Sequence, residues 1–365
     1  MSSIGDLLIA LTAVLSLLDP RPVNINTAGE EDLAWLPGID RSLARSIIEW
    51  RERFGSFLVE DDLLLVDGIG PATLEELQGL ITLGETGGLP VDTLHWLPVG
   101  PLEDTLLVMC FLDVGNGDAT LVRATGGETW LVDGGPPGDG PLVAASAARL
   151  LAMGVRDVDV VAFTHPHADH IGGLPDVLRT FGAALLLDPG MQFSSFLYED
   201  LLAAALESGA DYSLLRRGDV FRLSDEVSVE VVHTGPDLPA DLDVNEASAV
   251  FLVRCGGFRA MIAGDIEEDT EMLLTDSIPP LSLALVPHHG SNTSAFPPFL
   301  RSLRPQLAVV SCGRGNPFGH PHADVLEAWS SMGAEMLRTD LQGTILVVTD
   351  GSTIRYSTSM RGGSP

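Results

Sequence analysis

Thr164-His165-Pro166-His167-Ala168-Asp169-His170-Ile171-Gly172-Gly173 places three histidines and one carboxylate within six residues, in the spacing H-x-H-x-D-H. The chain has nine histidines in 365 residues, and eight of them fall between positions 165 and 322. Neutral imidazoles beside a carboxylate form the donor set that borderline metals such as Zn²⁺ prefer. The run follows Asp157–Phe163 (DVDVVAF), which reads as a buried strand. The ligands are therefore expected on a loop at a strand's C-terminal end, where α/β sites lie. A loop of plain turn and capping residues is the alternative, and three histidines at this spacing argue against it.

Working outward, the length points to two domains. There are 51 acidic and 20 basic residues, a net charge of −31, and every basic residue is arginine. Such acidity repels polyanions at long range and argues against broad, nonspecific nucleic-acid binding. Cys110, Cys255 and Cys312 are far apart in apolar, strand-like contexts. They read as buried free thiols, with no disulfide framework and no ligand role. Residues 1–19 contain an uncharged apolar run from Leu7 to Leu18, flanked by Asp6 and Asp19. It is short for a membrane span. Residues 4–18 leave open an export signal or anchor, against a docked amphipathic helix in a cytoplasmic protein. Oligomeric state is not legible.

Residues 20–83 hold two related units, Leu33–Asp40 (LAWLPGID) before Arg41–Trp50, and Leu63–Gly70 (LLLVDGIG) before Pro71–Leu77. Each reads as helix, tight glycine turn, helix. Thr27 with Glu30 three residues on reads as a capping box. The matching pieces are Val23–Ala28 (VNINTA), Leu36–Ile39 (LPGI), Arg51–Gly55 (RERFG) and Val66–Gly70 (VDGIG). On these the segment resembles the double helix-hairpin-helix module of the ComEA DNA-receptor family, a small all-α domain. The resemblance implies DNA-phosphate contacts from the backbone at Gly38, Gly68 and Gly70. Asp40 stands where the first hairpin's second glycine is expected. Five arginines face twelve acidic residues between 20 and 82, which does not suit counterion release. A helical packing or protein-docking domain is the alternative.

Residues 84–105 are rich in Gly and Pro and read as a linker containing His95. From 106 to 356 strands alternate with helices, and 357–365 form a polar tail. Strands are expected at 106–111, 119–123, 129–132, 158–163, 227–232, 249–253, 259–263, 282–286, 307–310, 344–348 and 353–356. Helices are expected near 142–153, 174–181, 196–208, 267–275, 296–303 and 322–332. The pattern fits a layered α/β domain.

His165-x-His167-x-Asp169-His170 resembles the signature of the metallo-β-lactamase superfamily. The ordered companions are Asp133 in WLVDGG, Asp265 in MIAGD and His288-His289 in HHGS. Phe111–Asp118 (FLDVGNGD), Ser311–Asn316 (SCGRGN) and Gly319–His322 (GHPH) are similar to the soluble domain of the ComEC DNA-uptake family, with Asn116 where that family has Gln. The resemblance implies an αββα sandwich and a metal-dependent hydrolase, most plainly a phosphodiesterase or nuclease acting on DNA in a competence setting. It implies two divalent ions, Zn²⁺ or Mn²⁺, and membrane DNA-uptake machinery as a partner. His165 and His167 can converge on one metal, and Asp169 and His170 face a second. Asp265 bridges the two, and His288 or His289 completes the second site. His233 or Asn245 is the third ligand of the first metal, an Asn favouring the harder Mn²⁺. Asp133 would fix an imidazole tautomer. Asp169 could orient the attacking water and His320 stabilise a leaving oxygen. Two other functions stay open: an ester or phosphoester hydrolase on a small or envelope-bound substrate, and a non-catalytic DNA receptor or adaptor.

Overall fold

A computed structural model describes residues 22–54, 57, 63–64, 66, 68–77, 79–83, 105–138, 144–191, 193–235 and 243–359. The apolar segment 1–19, the linker up to residue 104 with His95, and residues 360–365 lie outside them. Two compact units divide the chain, Met1–Pro90 and Val91–Pro365. Among the described residues no helix is long and apolar enough to cross a membrane.

The first unit contains the helices Glu30–Leu33, Arg41–Phe54 and Pro71–Leu77. Its two glycine turns repeat one another. Ile39 N–H donates to the Leu36 carbonyl in the first, and Ile69 N–H to the Val66 carbonyl in the second. Gly38 (φ +74) and Gly68 (φ +90) occupy the left-handed position of these turns, whereas Gly70 does not. Asp40 serves the fold directly, since its Oδ1 accepts the Leu43 N–H at 2.8 Å and so caps the long helix. The capping box is not formed, because the first helix starts after Gly29, which makes no side-chain cap. The domain is also not purely helical. Strands β1 (Val23–Asn24) and β2 (Ile81–Thr82) pair in parallel and tie its two ends. Arg51 reinforces this by donating to the carbonyls of Ile25 and Ala28, both at 2.6 Å.

In the second unit, one sheet of eight strands comprises β3 (Leu107–Phe111), β4 (Thr120–Ala124), β5 (Thr129–Val132), β6 (Val160–Ala162), β7 (Leu185–Asp188), β8 (Asp211–Leu214), β16 (Ile345–Thr349) and β17 (Ile354–Thr358). Their order is β17-β16-β3-β4-β5-β6-β7-β8. The other sheet has seven: β9 (Val220–Arg222), β10 (Val227–His233), β11 (Val250–Cys255), β12 (Phe258–Ile262), β13 (Leu283–Leu285), β14 (Leu307–Val310) and β15 (Glu335–Arg338), in the order β15-β14-β13-β12-β11-β10-β9. β17 runs two residues past the expected end of the domain at 356. Within each sheet one half is parallel, β5 through β8 and β12 through β15.

Three apolar clusters show why the layers stack. Met109, Phe111 and Trp130 of one sheet pack with Phe251, Ile262 and Val309 of the other, in the middle of the sandwich. Leu121, Leu131 and Val161 pack outward on Leu150, Val177 and Leu201 of helices. Leu252 and Ala284 pack outward on Phe299 and Trp329. The result is the αββα order, and inner strands such as β3 and β16 are buried on both faces. The helices that dress it are punctuated as their residues dictate. Phe196–Ser208 starts at Ser195, whose Oγ accepts the Tyr198 N–H, and stops at the left-handed Gly209.

Candidate metal centre

The expected ligands converge at the C-terminal ends of parallel strands from both sheets. Asp133 follows β5, the histidine run follows β6, Asp265 follows β12 and His288-His289 follow β13. The run is not a plain loop. His167 immediately precedes a one-turn helix, Ala168–Ile171, that carries Asp169 and His170. Gly117 (φ +137) lets the loop before β4 come against it; a Cβ there would sit 2.2 Å from the Asp169 carbonyl oxygen.

Asp265 is the hub. Its Oδ1 lies 3.1 Å from His170 Nε2 and 3.6 Å from His289 Nε2. Its Oδ2 lies 3.8 Å from both His165 Nε2 and His288 Nε2. His289 Nε2 is also 3.5 Å from Asp169 Oδ2, and His167 Nδ1 is 3.0 Å from His165 Nε2. Ligand atoms of Asp169, His170, Asp265 and His289 all lie within 4.8 Å of one another. His170 Nε2, His289 Nε2 and Asp265 Oδ1 are buried and make no hydrogen bond. Buried polar atoms without partners are costly unless something else satisfies them, and three of them aimed at one point fit a cation.

The far side of each imidazole explains this aim. His170 Nδ1 faces Asp133 Oδ2 at 3.0 Å. Asp133 in turn accepts the Thr164 N–H at 2.8 Å and the Thr164 hydroxyl at 2.9 Å. His289 Nδ1 donates to the Ser311 carbonyl at 3.0 Å, with Asp118 Oδ1 at 3.3 Å. His288 Nδ1 faces Glu267 Oε1 at 3.1 Å, and His165 Nδ1 faces the Thr164 hydroxyl at 3.2 Å. With the proton on Nδ1, each ring turns the lone pair of Nε2 toward the centre. Both His288 (φ 50) and His289 (φ 53) are left-handed, as is Asp133 (φ 60). Non-glycine residues there cost about 1–2 kcal/mol each, strain that the surrounding fold offsets.

Burial opposes charge on Asp133, His165, Asp169, His170, Asp265, His289 and His320. At Asp265 and Asp169 the facing imidazoles outweigh it and hold both carboxyls well below their ordinary range. Burial is likewise overcome at His170 and His289, which Asp265 pushes up, together with Asp133 and Asp118 respectively. His165 goes the other way, because burial and then the charge of His170 disfavour its cation. His320 is brought down to about 4 by burial and by His288 and His289 nearby, so it is neutral at pH 7.

A pocket of about 70 Å³ opens beside the cluster, lined by Asn116, Asp169, His288, His289, Cys312, Asn316, Phe318 and His320. His322 stands outside that lining and caps the helix Ala323–Ser331. The structure does not bring His233 into the tight cluster; it lies buried with Nε2 3.2 Å from the Glu246 carbonyl. Asn245 donates through Nδ2 to Glu267 at 3.4 Å, while its Oδ1 is buried without a hydrogen bond. Sequence reasoning missed Asp118, Glu267, Ser311 and Phe318. Asp118 and Ser311 carried a signal, since they stand in the FLDVGNGD and SCGRGN stretches, whereas Glu267 and Phe318 did not. Cys312 is a buried thiol as expected, but it lines the pocket, which its distance along the chain concealed.

Histidine and carboxylate donors at the strand ends of an αββα sandwich define a metallohydrolase fold. The chain belongs to the metallo-beta-lactamase superfamily, whose pattern matches residues 112–314. A helix-hairpin-helix motif matches residues 20–82. The chain is 29% identical over 288 residues to ComE operon protein 3 of Bacillus subtilis, covering 74% of this chain and 36% of that protein. It is 28% identical over 244 residues to competence protein ComA of Neisseria gonorrhoeae, covering 64% and 31%. It thus spans about a third of the length of these relatives. CmlA, a diiron beta-hydroxylase from Streptomyces venezuelae, is similar in structure with a TM-score of 0.49 and 16% identity, over 80% of this chain and 59% of that one.

Proposed function

We propose that this protein is a metal-dependent phosphodiesterase that cleaves DNA in a DNA-uptake setting. The observation that carries the reading is the convergence of buried, unbonded His170 Nε2, His289 Nε2 and Asp265 Oδ1 beside a pocket that also holds Asp169 and His320. His165, His167, Asp169, His170, Asp265, His288 and His289 would hold two divalent ions, Zn²⁺ or Mn²⁺. Such ions supply Lewis-acid polarisation of a phosphoryl oxygen and activation of water. Asn245 suits the remaining ligand position better than His233. Its Oδ1 is unbonded, whereas a carbonyl engages His233, and an oxygen donor favours Mn²⁺.

The chain's own groups divide the remaining work. Asp169, held ionised, orients the attacking water. His320, neutral, presents an N–H to the leaving or a non-bridging oxygen without adding charge. The pocket's lining of Asp169, His288, His289 and His320 suits a phosphoryl group. The similarity to competence proteins and the helix-hairpin-helix motif support DNA as substrate and uptake machinery as partner. The net charge of −31 favours a second reading, a small or envelope-bound phosphoester that needs no polyanion docking. The intact donor set speaks against a non-catalytic adaptor.

The test is cleavage of single- and double-stranded DNA with Mn²⁺ or Zn²⁺, comparing the wild type with Asp169→Ala. We expect cleavage that the substitution lowers by two or more orders of magnitude. Hydrolysis of a small phosphoester with no DNA cleavage under any metal would overturn the DNA reading.

A further inference from the structure

Phe318 is 64% exposed at the mouth of the pocket. Its ring lies nearly parallel to that of His320, with centroids 5.7 Å apart and planes 28° apart. The His320 ring is in turn 6.5 Å from that of His289. The segment bearing Phe318 is clamped. Asn316 Oδ1 accepts the His320 N–H at 3.0 Å, while Asn316 Nδ2 donates to the carbonyls of Gly313 and His320. Asn116 Oδ1 accepts the Gly313 N–H at 3.1 Å, tying this segment to the loop after β3. A large apolar ring is thus backed by an imidazole and left open to solvent.

We propose that Phe318 is a stacking platform for an unpaired nucleobase next to the scissile phosphate, making it a specificity residue for single-stranded or frayed nucleic acid. This rests on the phosphodiesterase reading above. Phe318 shares the pocket lining with Asp169 and His320, so a nucleoside attached to a phosphoryl group seated between those two lies within reach of its exposed ring. Flat aromatic faces hold bases irrespective of sequence. A paired duplex keeps its base faces covered by neighbouring pairs and offers none to the ring.

The experiment compares wild type, Phe318→Ala and Phe318→Trp on two single-stranded oligonucleotides, with Mn²⁺ or Zn²⁺ present. One oligonucleotide is intact, and the other has abasic residues flanking a single cleavable phosphodiester. Phe318→Ala is expected to raise KM for the intact strand by roughly ten- to a hundredfold with a much smaller change in kcat. On the abasic strand it should match the wild type, and Phe318→Trp should restore the preference. Equal cleavage of the two strands by the wild type overturns the platform, as does an equal loss on both in Phe318→Ala. If no protein cleaves either strand, the phosphodiesterase reading fails. Fluorescence anisotropy on the same strands then decides the platform separately. A wild-type preference for the intact strand that Phe318→Ala abolishes supports it, and equal binding overturns it.

Discussion

Replacing Asp133 by Asn changes one atom in the buried chain that aims His170. The carboxylate meets three donors: the Thr164 N–H, the Thr164 hydroxyl and His170 Nδ1. An amide keeps one oxygen on the Thr164 N–H and tolerates the left-handed backbone at this position. Its NH₂ then confronts the hydroxyl, which can rotate, and the imidazole, which cannot remain protonated on Nδ1. His170 must move its proton to Nε2, the atom 3.1 Å from Asp265 Oδ1, and so loses the lone pair that faces the centre. Loss of such a partner costs about ten- to a hundredfold in metal affinity, roughly 1.4–2.8 kcal/mol. Folding should suffer little, since burial already pushes the Asp133 carboxyl up and a neutral amide avoids that penalty. Asp133→Ala, by contrast, leaves buried donors without acceptors and should cost about 2–4 kcal/mol of stability. The assay is calorimetric titration of the chelated protein with Zn²⁺ or Mn²⁺, beside thermal melts in chelator. Metal affinity in Asp133→Asn equal to that of the wild type would refute the tautomer argument.

Two further outcomes follow from buried features near the site. Glu271 accepts the N–H groups of Ala295 and Phe296, and burial pushes its carboxyl from 4.5 up to about 7. The folded state therefore binds this proton more tightly than the unfolded chain, and stability falls as pH rises from about 4.5 to about 7. Chemical denaturation should show the wild type losing up to about 3 kcal/mol relative to Glu271→Gln between about pH 5 and pH 8; a constant difference would count against a raised pKa. Gly264 has φ +55, and a Cβ there would lie 2.6 Å from the Thr164 side chain. Gly264→Ala should lower stability by about 3 kcal/mol or more, seen as a fall in Tm in chelator, and a wild-type Tm would remove the steric argument.

The histidine run was legible because covalent spacing alone brings its donors together. Asp265 and His288-His289 were legible only through their order along the chain. Nothing local says that β12 and β13 end facing β6. Helices such as Leu174–Phe181 and Phe196–Ser208 were readable from apolar periodicity and punctuation at Pro175, Ser195 and Gly209. In the second unit four described strands were not foreseen: Leu185–Asp188, Asp211–Leu214, Val220–Arg222 and Glu335–Arg338. Asp211–Leu214 is exposed throughout, and Val220–Arg222 is an edge strand of three residues, too short to show an alternation in sequence. Their conformation comes from pairing with a sheet already built. Leu185–Asp188 continues an apolar stretch that looks the same as buried helix. The capping box failed for a similar reason: Thr27 has the right neighbours in sequence, but the parallel pairing of Val23 and Asn24 determines where the following helix begins.

The donors come from both sheets of the sandwich, and this makes a bound cation a fastener. His165, His167, Asp169 and His170 belong to the half of the unit ending at β8, while Asp265, His288 and His289 belong to the half that starts at β9. On the proposed ligand set, neither group of donors would complete a coordination shell alone. An ion held at a thousand times its dissociation constant would add about 4 kcal/mol to the free energy of keeping the two halves closed. Depletion of a bound ion would then weaken the seam between the sheets as well as the chemistry.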